Sequence, residues 1–311
     1  MRKLVAGAVV GVMLGGAAWA QGQSDSVIVT SQKQREAISS FVTKLSTPSR
    51  LSGKLARWNV GVCPSVIGIR PEAAKFVVQR VRDTAARVGA PVNAEADCRP
   101  NIHIVFSTAP QALVSHIRST QPYMLGYADS KANKDALALV KFPIQAWYAN
   151  RMRDLHGKTI YETSKTVGFG NELMIPCGSI NDPRCPGGFM VLPSAVGAMA
   201  STGGRLGDGL RSEFHNAIIV ADPNALLEYE MGTLSDHIAM LALAQTETPA
   251  ECASLPSILN LFSKGCAAPP TELTVADEGY LRGLYSMDAQ AIIQAQRDQM
   301  IYRIGQAIEG R

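Results

Sequence analysis

The sequence predicts an α+β protein: a mixed β-sheet with crossover helices, closed by packing helices at its C-terminal end. Three patterns carry that expectation. Ala217 to Ala221 is a short, β-branched apolar run of the length and composition of a buried strand. After a loop holding Glu228, Glu230 and Gly232 comes Leu234 to Ala244. There Leu234, Ile238 and Leu241 recur at helical spacing, and Met240 and Leu243 widen the stripe. Upstream, strand-like and helix-like segments alternate, an order that places crossover helices over a mixed sheet.

Residues 1–20 read as a secretory signal. Arg2 and Lys3 supply the charged start, Leu4 to Gly16 the apolar stretch, and Ala18-Trp19-Ala20 the small-x-small cleavage site, so the mature chain is expected to begin near Gln21. No later apolar run is long enough to span a bilayer. The expected location is periplasmic or extracellular. The whole chain holds 30 basic and 26 acidic residues with no block of like charge, which argues against a nucleic-acid or membrane-surface partner.

Residues 21–50 read as a tail and a short helix from Glu36 to Leu45, stopped by Thr47-Pro48. VIVTSQKQRE, within that tail, resembles the mature beginnings of TonB-dependent outer-membrane receptors, but the chain is too short for their barrel. Residues 51–311 read as one α+β domain. Arg57 to Ile69 is expected as a strand, with Pro64 marking a bulge or an edge. Pro71 opens a helix to Val88, whose Ala74, Val77, Val78, Val81 and Ala85 share a face, and Gly89 ends it. Asn101 to Phe106 is the next strand and Ala109 to Arg118 the next helix. Lys134 to Asp154 and Lys158 to Val167 read as a hairpin turning at Gly157. Residues 168–211, rich in Gly, Pro and Ser, read as a long loop insertion. They contain neither a phosphate loop nor a G-x-S-x-G elbow, and no cofactor is expected. Two helices end the chain: one opened by a capping box, Thr274-x-x-Asp277, and one from Asp288 to Glu309.

The six cysteines, an even count in an exported chain, point to disulfides. Spacing favours sequential pairing: Cys63–Cys98, Cys177–Cys185 and Cys252–Cys266. A zinc site is disfavoured, because no C-x-x-C pair occurs and no His stands at ligand spacing beside a Cys.

The ionisable residues hold one candidate site. Five histidines are scattered, and no two sit one helical turn apart. Thr233-x-x-Asp236 matches a capping box, which gives both residues a structural explanation. The functional alternative has Asp236 and His237 lining a cleft beside strand 217–221, with Glu228 or Glu230 nearby, because a carboxylate beside an imidazole can move protons or bind metal.

The run SDHIAMLAL, then LPSILNLF, then LTVADEGYLRGLY resembles an uncharacterised family of secreted proteobacterial proteins with a zincin-like, metallopeptidase-like layout. The matching residues are Pro256, Ser257, Ile258, Asn260, Leu273, Thr274, Asp277, Leu281, Arg282, Leu284 and Tyr285. Zinc in that layout needs two imidazoles one helical turn apart and a glutamate that activates water. Those positions here hold Ser235, Asp236 and Ala239, so the resemblance implies a degenerate site without metal. The favoured reading is a non-enzymatic binding or structural protein of the cell envelope, with an envelope protein as partner. The alternative is a hydrolase using Asp236 and His237 with Glu230. A third reading is a substrate-binding or inhibitor-like module built on the 168–211 loop.

Overall fold

A computed structural model describes residues 21–50, 52–95, 97–128, 130–161, 167–169, 172–176, 189–193, 208–246 and 248–310. Its frame is a mixed sheet whose parallel part is β2 (Pro64–Ile67), β3 (Ile102–Phe106) and β9 (Arg211–Ala221). β4 (Ile144–Arg153) runs antiparallel to β9, β5 (Thr159–Tyr161) pairs with the end of β4, and β1 (Ala56–Arg57) pairs in parallel with the start of β9. The expected strand over 57–69 is therefore two pieces. β1 leans on β9 while β2 leans on β3, so the chain must leave one neighbour for the other between them.

Seven α-helices accompany the sheet among the described residues. α2 (Pro71–Val88) crosses from β2 to β3 and buries Val77, Val81, Thr84, Ala85 and Val88, ending on Gly89 in the left-handed conformation at φ 81°. α5 (Met231–Leu243) follows β9. It is apolar on nearly all sides, and every residue from Thr233 to Leu243 is buried, which marks a central helix rather than a surface one. α6 (Val275–Ser286) and α7 (Ile293–Ile308) form a close pair. Gly283 makes that closeness affordable to the backbone, since a Cβ there would stand 3.0 Å from Met300 Cα. The large core runs from Ile104, Ala217 and Ile219 through Ile238 and Leu241 to Leu281 and Ile304.

The opposite face of the sheet carries a smaller cluster: Trp147, Ile218 and Val220 beneath Val114 of α3 (Pro110–Thr120) and Leu125. α4 (Lys131–Leu137) occupies the start of the segment expected as a hairpin strand. Ser130 caps it by accepting from Asn133 N, so β4 begins only at Ile144.

Two further expectations change. The N-terminal segment is helical from its beginning: α1 spans Gln21–Leu45, and Ile38, Phe41, Val42 and Leu45 belong to the main core. Phe41 meets Tyr280 of α6 edge-on at 6.2 Å, so this helix is part of the fold rather than a tail. The 168–211 region is not structureless. β6 (Val167–Phe169), β7 (Glu172–Pro176) and β8 (Phe189–Pro193) form a second, antiparallel sheet, and β9 already starts at Arg211.

The Cys63–Cys98 and Cys252–Cys266 disulfides are present, with Cα separations of 6.0 and 5.6 Å. Each could stabilise the fold by about 3 kcal/mol by restricting the unfolded chain. Cys177 and Cys185 lie outside the described residues, as do residues 1–20. Among the described residues no helix is long and apolar enough to cross a membrane.

Candidate functional site

α5 carries two of the three residues singled out from the sequence, and the structure gives each a separate environment. The helix starts at Glu230 as N-cap, so Thr233 lies inside the first turn and cannot form the expected capping box with Asp236. Asp236 faces α2 instead. Its carboxylate accepts from Arg80 Nε at 2.5 Å, Arg80 Nη2 at 2.8 Å and Leu273 N at 3.3 Å. This forked pair ties α2, α5 and the approach to α6 together, and the hydrogen bond to Asp236 raises the Arg80 pKa above its ordinary value. Both carboxylate oxygens are thus committed to holding helices together.

His237 is completely buried, and neither ring nitrogen has a hydrogen-bond partner among the described residues. Its ring meets Phe262 edge-on at 5.0 Å, and burial lowers its pKa to about 3. It is a neutral core side chain at ordinary pH. Glu230 is exposed and makes no side-chain cap bond. The three residues do not converge on one opening, because adjacent positions on a helix point about 100° apart.

A cavity of about 340 Å³ lies elsewhere, along the open edge of β4. The edge is open because β5 pairs only with Arg151 to Arg153, leaving Ile144 to Asn150 without a paired strand on that side among the described residues. Beside β4 the cavity is walled by the turn after α1 at Thr47 and Pro48, the Leu125–Ala128 stretch, α4 with Lys141 after it, and the chain leaving α5 at Gln245 and Thr246. Gly126, at φ 98°, lets its stretch come down onto β4, since a Cβ there would stand 2.7 Å from Tyr148 O.

Polar residues are numerous around this cavity, among them Arg50, Asn133, Lys141, Gln145, Asn150 and Gln245. Asn150 donates through Nδ2 to Gln245 Oε1 at 2.8 Å, which leaves Asn150 Oδ1 buried without a partner. Thr246 Oγ1 is likewise buried and unpartnered. Asn150 and Thr246 are 4% and 2% exposed. An unsatisfied buried polar atom costs about 1–3 kcal/mol, and two such atoms belong to residues that line this cavity.

α5 is held over this cavity by unusual capping. No glycine and no basic residue ends the helix. Trp58 Nε1 donates to Ala242 O at 2.8 Å, Tyr148 OH to Leu241 O at 2.7 Å and Tyr285 OH to Leu243 O at 2.7 Å. Three aromatic side chains from three elements thus satisfy the carbonyls that a helix end leaves open. Burial pushes the Tyr285 hydroxyl pKa up, keeping it a donor.

Sequence reasoning passed over Asn150, Gln245 and Thr246. The one signal was a polar residue, Asn150, on the core-facing side of an otherwise apolar strand. Among the described residues no group of three or more metal-ligating side chains comes together. No protein family, curated protein or solved structure matches this chain.

Proposed function

We propose that the protein is exported and works by binding rather than by catalysis, on a zincin-like frame whose metal site is degenerate. The supporting observation for the frame is the order of elements: β9, a short loop, the central helix α5, then packing helices α6 and α7. Two disulfides are consistent with an oxidising compartment.

The unpartnered Asn150 Oδ1 and Thr246 Oγ1 carry the binding reading. Asn150 Oδ1 can only accept, so it calls for a donor, and the cavity's mixed lining, with Arg50 and Lys141 among polar and apolar side chains, calls for a small polar guest. The ligand class is a small polar molecule with an amide or hydroxyl donor. Asp236 and His237 serve the fold, the first as partner of Arg80 and the second as core packing.

Saturation-transfer NMR against a panel of small neutral amides and polyols tests this. At least one probe should bind the native protein, and binding should fall about tenfold or more when Asn150→Leu and Thr246→Val are combined, two lost hydrogen bonds at ~1 kcal/mol each. A panel that ignores the protein, or binds the double variant equally well, would sink the reading. Near-stoichiometric zinc, with peptide hydrolysis abolished by His237→Ala, would replace it with the hydrolase.

A further inference from the structure

The face of the sheet opposite Phe214 carries a second assembly, far richer in charge. Glu213, on β9, is 1% exposed. Directly across the ladder from it stand Arg57 on one side and Arg151 on the other, and two residues along Arg211 stands opposite Arg153. Arg211 Nε donates to Glu213 Oε1 at 2.7 Å and Arg151 Nε to Oε2 at 3.0 Å, while Arg153 Nε stands 3.5 Å from Oε2. Asn59 Nδ2 donates to Oε1 at 2.9 Å. Arg57 turns away and spends its Nη1 on the carbonyls of Leu284, Tyr285 and Met287.

One guanidinium would neutralise Glu213. Three surround it. Like charges placed directly opposite each other on a sheet, as Arg153 and Arg211 are, destabilise the pairing. Arg151 and Arg211 both hydrogen-bond the buried carboxylate, and with Arg153 beside it the cluster holds more positive charge than Glu213 offsets. Their geometry has a common property: each approaches the carboxylate through Nε, and none of the Nη groups of Arg151, Arg153 and Arg211 has a partner among the described residues. The Arg153 Nε is itself buried without a hydrogen bond. The three side chains are 12%, 27% and 29% exposed, so each retains some contact with solvent. His215, the bulge residue beside Glu213, contacts Tyr161 edge-on at 4.8 Å. Its pKa is lowered by burial and further by the fields of Arg151 and Arg99.

We propose that Arg151, Arg153 and Arg211, held in register by Glu213, form a binding site for a doubly charged oxyanion of the phosphate-monoester type. Three cations against one carboxylate leave two positive charges, the complement of such a group. Planar guanidinium forks match its oxygens, and fixing them beforehand removes most of the side-chain entropy that binding would otherwise cost. The site is separate from the β4-edge cavity and stands whether or not that cavity binds a polar guest.

Isothermal titration of the full mature chain with inorganic phosphate in low-salt buffer should show saturable one-to-one binding that weakens as salt rises. Arg153→Gln and Arg211→Gln should each lower the affinity by about tenfold or more. Arg153→Lys, which keeps the charge and loses the fork, should fall between. Near-ultraviolet circular dichroism shows whether each variant has kept its packing. If vesicles bearing phosphatidic acid bind, against phosphatidylcholine controls, while free phosphate does not, the phosphate is supplied by a headgroup, provided both glutamine variants abolish binding. Failure of both probes, or binding unmoved by either glutamine variant, would overturn the site.

Discussion

The starts of α5 and α6 carry the same four-residue pattern, threonine followed three residues later by aspartate, and come to opposite ends. At α6 the pattern is a complete capping box. Thr274 Oγ1 accepts from Asp277 N at 3.1 Å, and Thr274 N donates to Asp277 Oδ2 at 3.0 Å. Ser257 Oγ and Ile258 N donate to the same carboxylate at 2.6 and 2.8 Å, so the cap also anchors the preceding turn. At α5 the helix starts three residues before the threonine, and Asp236 is taken by Arg80. A local pattern is an offer that a long-range partner can outbid. A forked guanidinium is a stronger partner for a buried carboxylate than one backbone N–H.

This contrast can be broken first at Arg80. Arg80→Met leaves Asp236 charged and buried with only Leu273 N for company, and should cost about 4 kcal/mol in urea unfolding at neutral pH. A cost below that of losing a helix cap would mean that Asp236 does not depend on the pair. The neighbouring residue gives the next effect. The His237 pKa is about 3 folded and near 6.5 unfolded, so stability is fully present above pH 6.5 and is lost as pH falls towards 3. The loss should reach about 3 kcal/mol at pH 4, and His237→Leu should flatten that part of the stability curve. Asp277 acts in the opposite sense. Burial raises its pKa, so its contribution is greatest below the unfolded carboxyl range and is lost as pH rises through the folded value.

Smaller effects sharpen the comparison at the threonines themselves. Thr274→Ala should lower stability by about 1 kcal/mol, as the loss of a helix cap does. Thr233→Val should change it by less than about 0.5 kcal/mol, because the Thr233 hydroxyl caps nothing and the two side chains are nearly the same shape. Equal costs at the two positions would erase the distinction drawn between the two helix starts.

Elements with a strong local signal were legible in the sequence. Pro71 and Gly89 bracket α2 because a fixed φ suits a helix start and a left-handed glycine suits its end. Cys63–Cys98 and Cys252–Cys266 followed from spacing alone. The boundary of β4 was not legible, because Ser130 starts a helix inside a stretch that also alternates like a strand. Nor was the splitting of the 57–69 strand, which depends on β9, a strand more than a hundred residues later. The cavity was invisible for the same reason: Asn150 is ordinary until β5 stops short and leaves the β4 edge open. Arg211 closed the Gly- and Ser-rich region read as loop and Glu213 fell between that region and the strand read from Ala217, so their alternation was not seen as one face of a strand.

The aromatic caps on α5 have a consequence for the order of folding. Trp58, Tyr148 and Tyr285 lie 184, 93 and 42 residues from the carbonyls they reach. No local fragment can therefore complete this helix end. A chain leaving the ribosome or a membrane channel N-terminus first would present β1, β4 and β9 well before Tyr285 emerges. The last turn of α5 then stays unfinished until α6 arrives. Contacts of such long sequence separation slow folding, and the centre of the molecule is set only when nearly the whole chain is present.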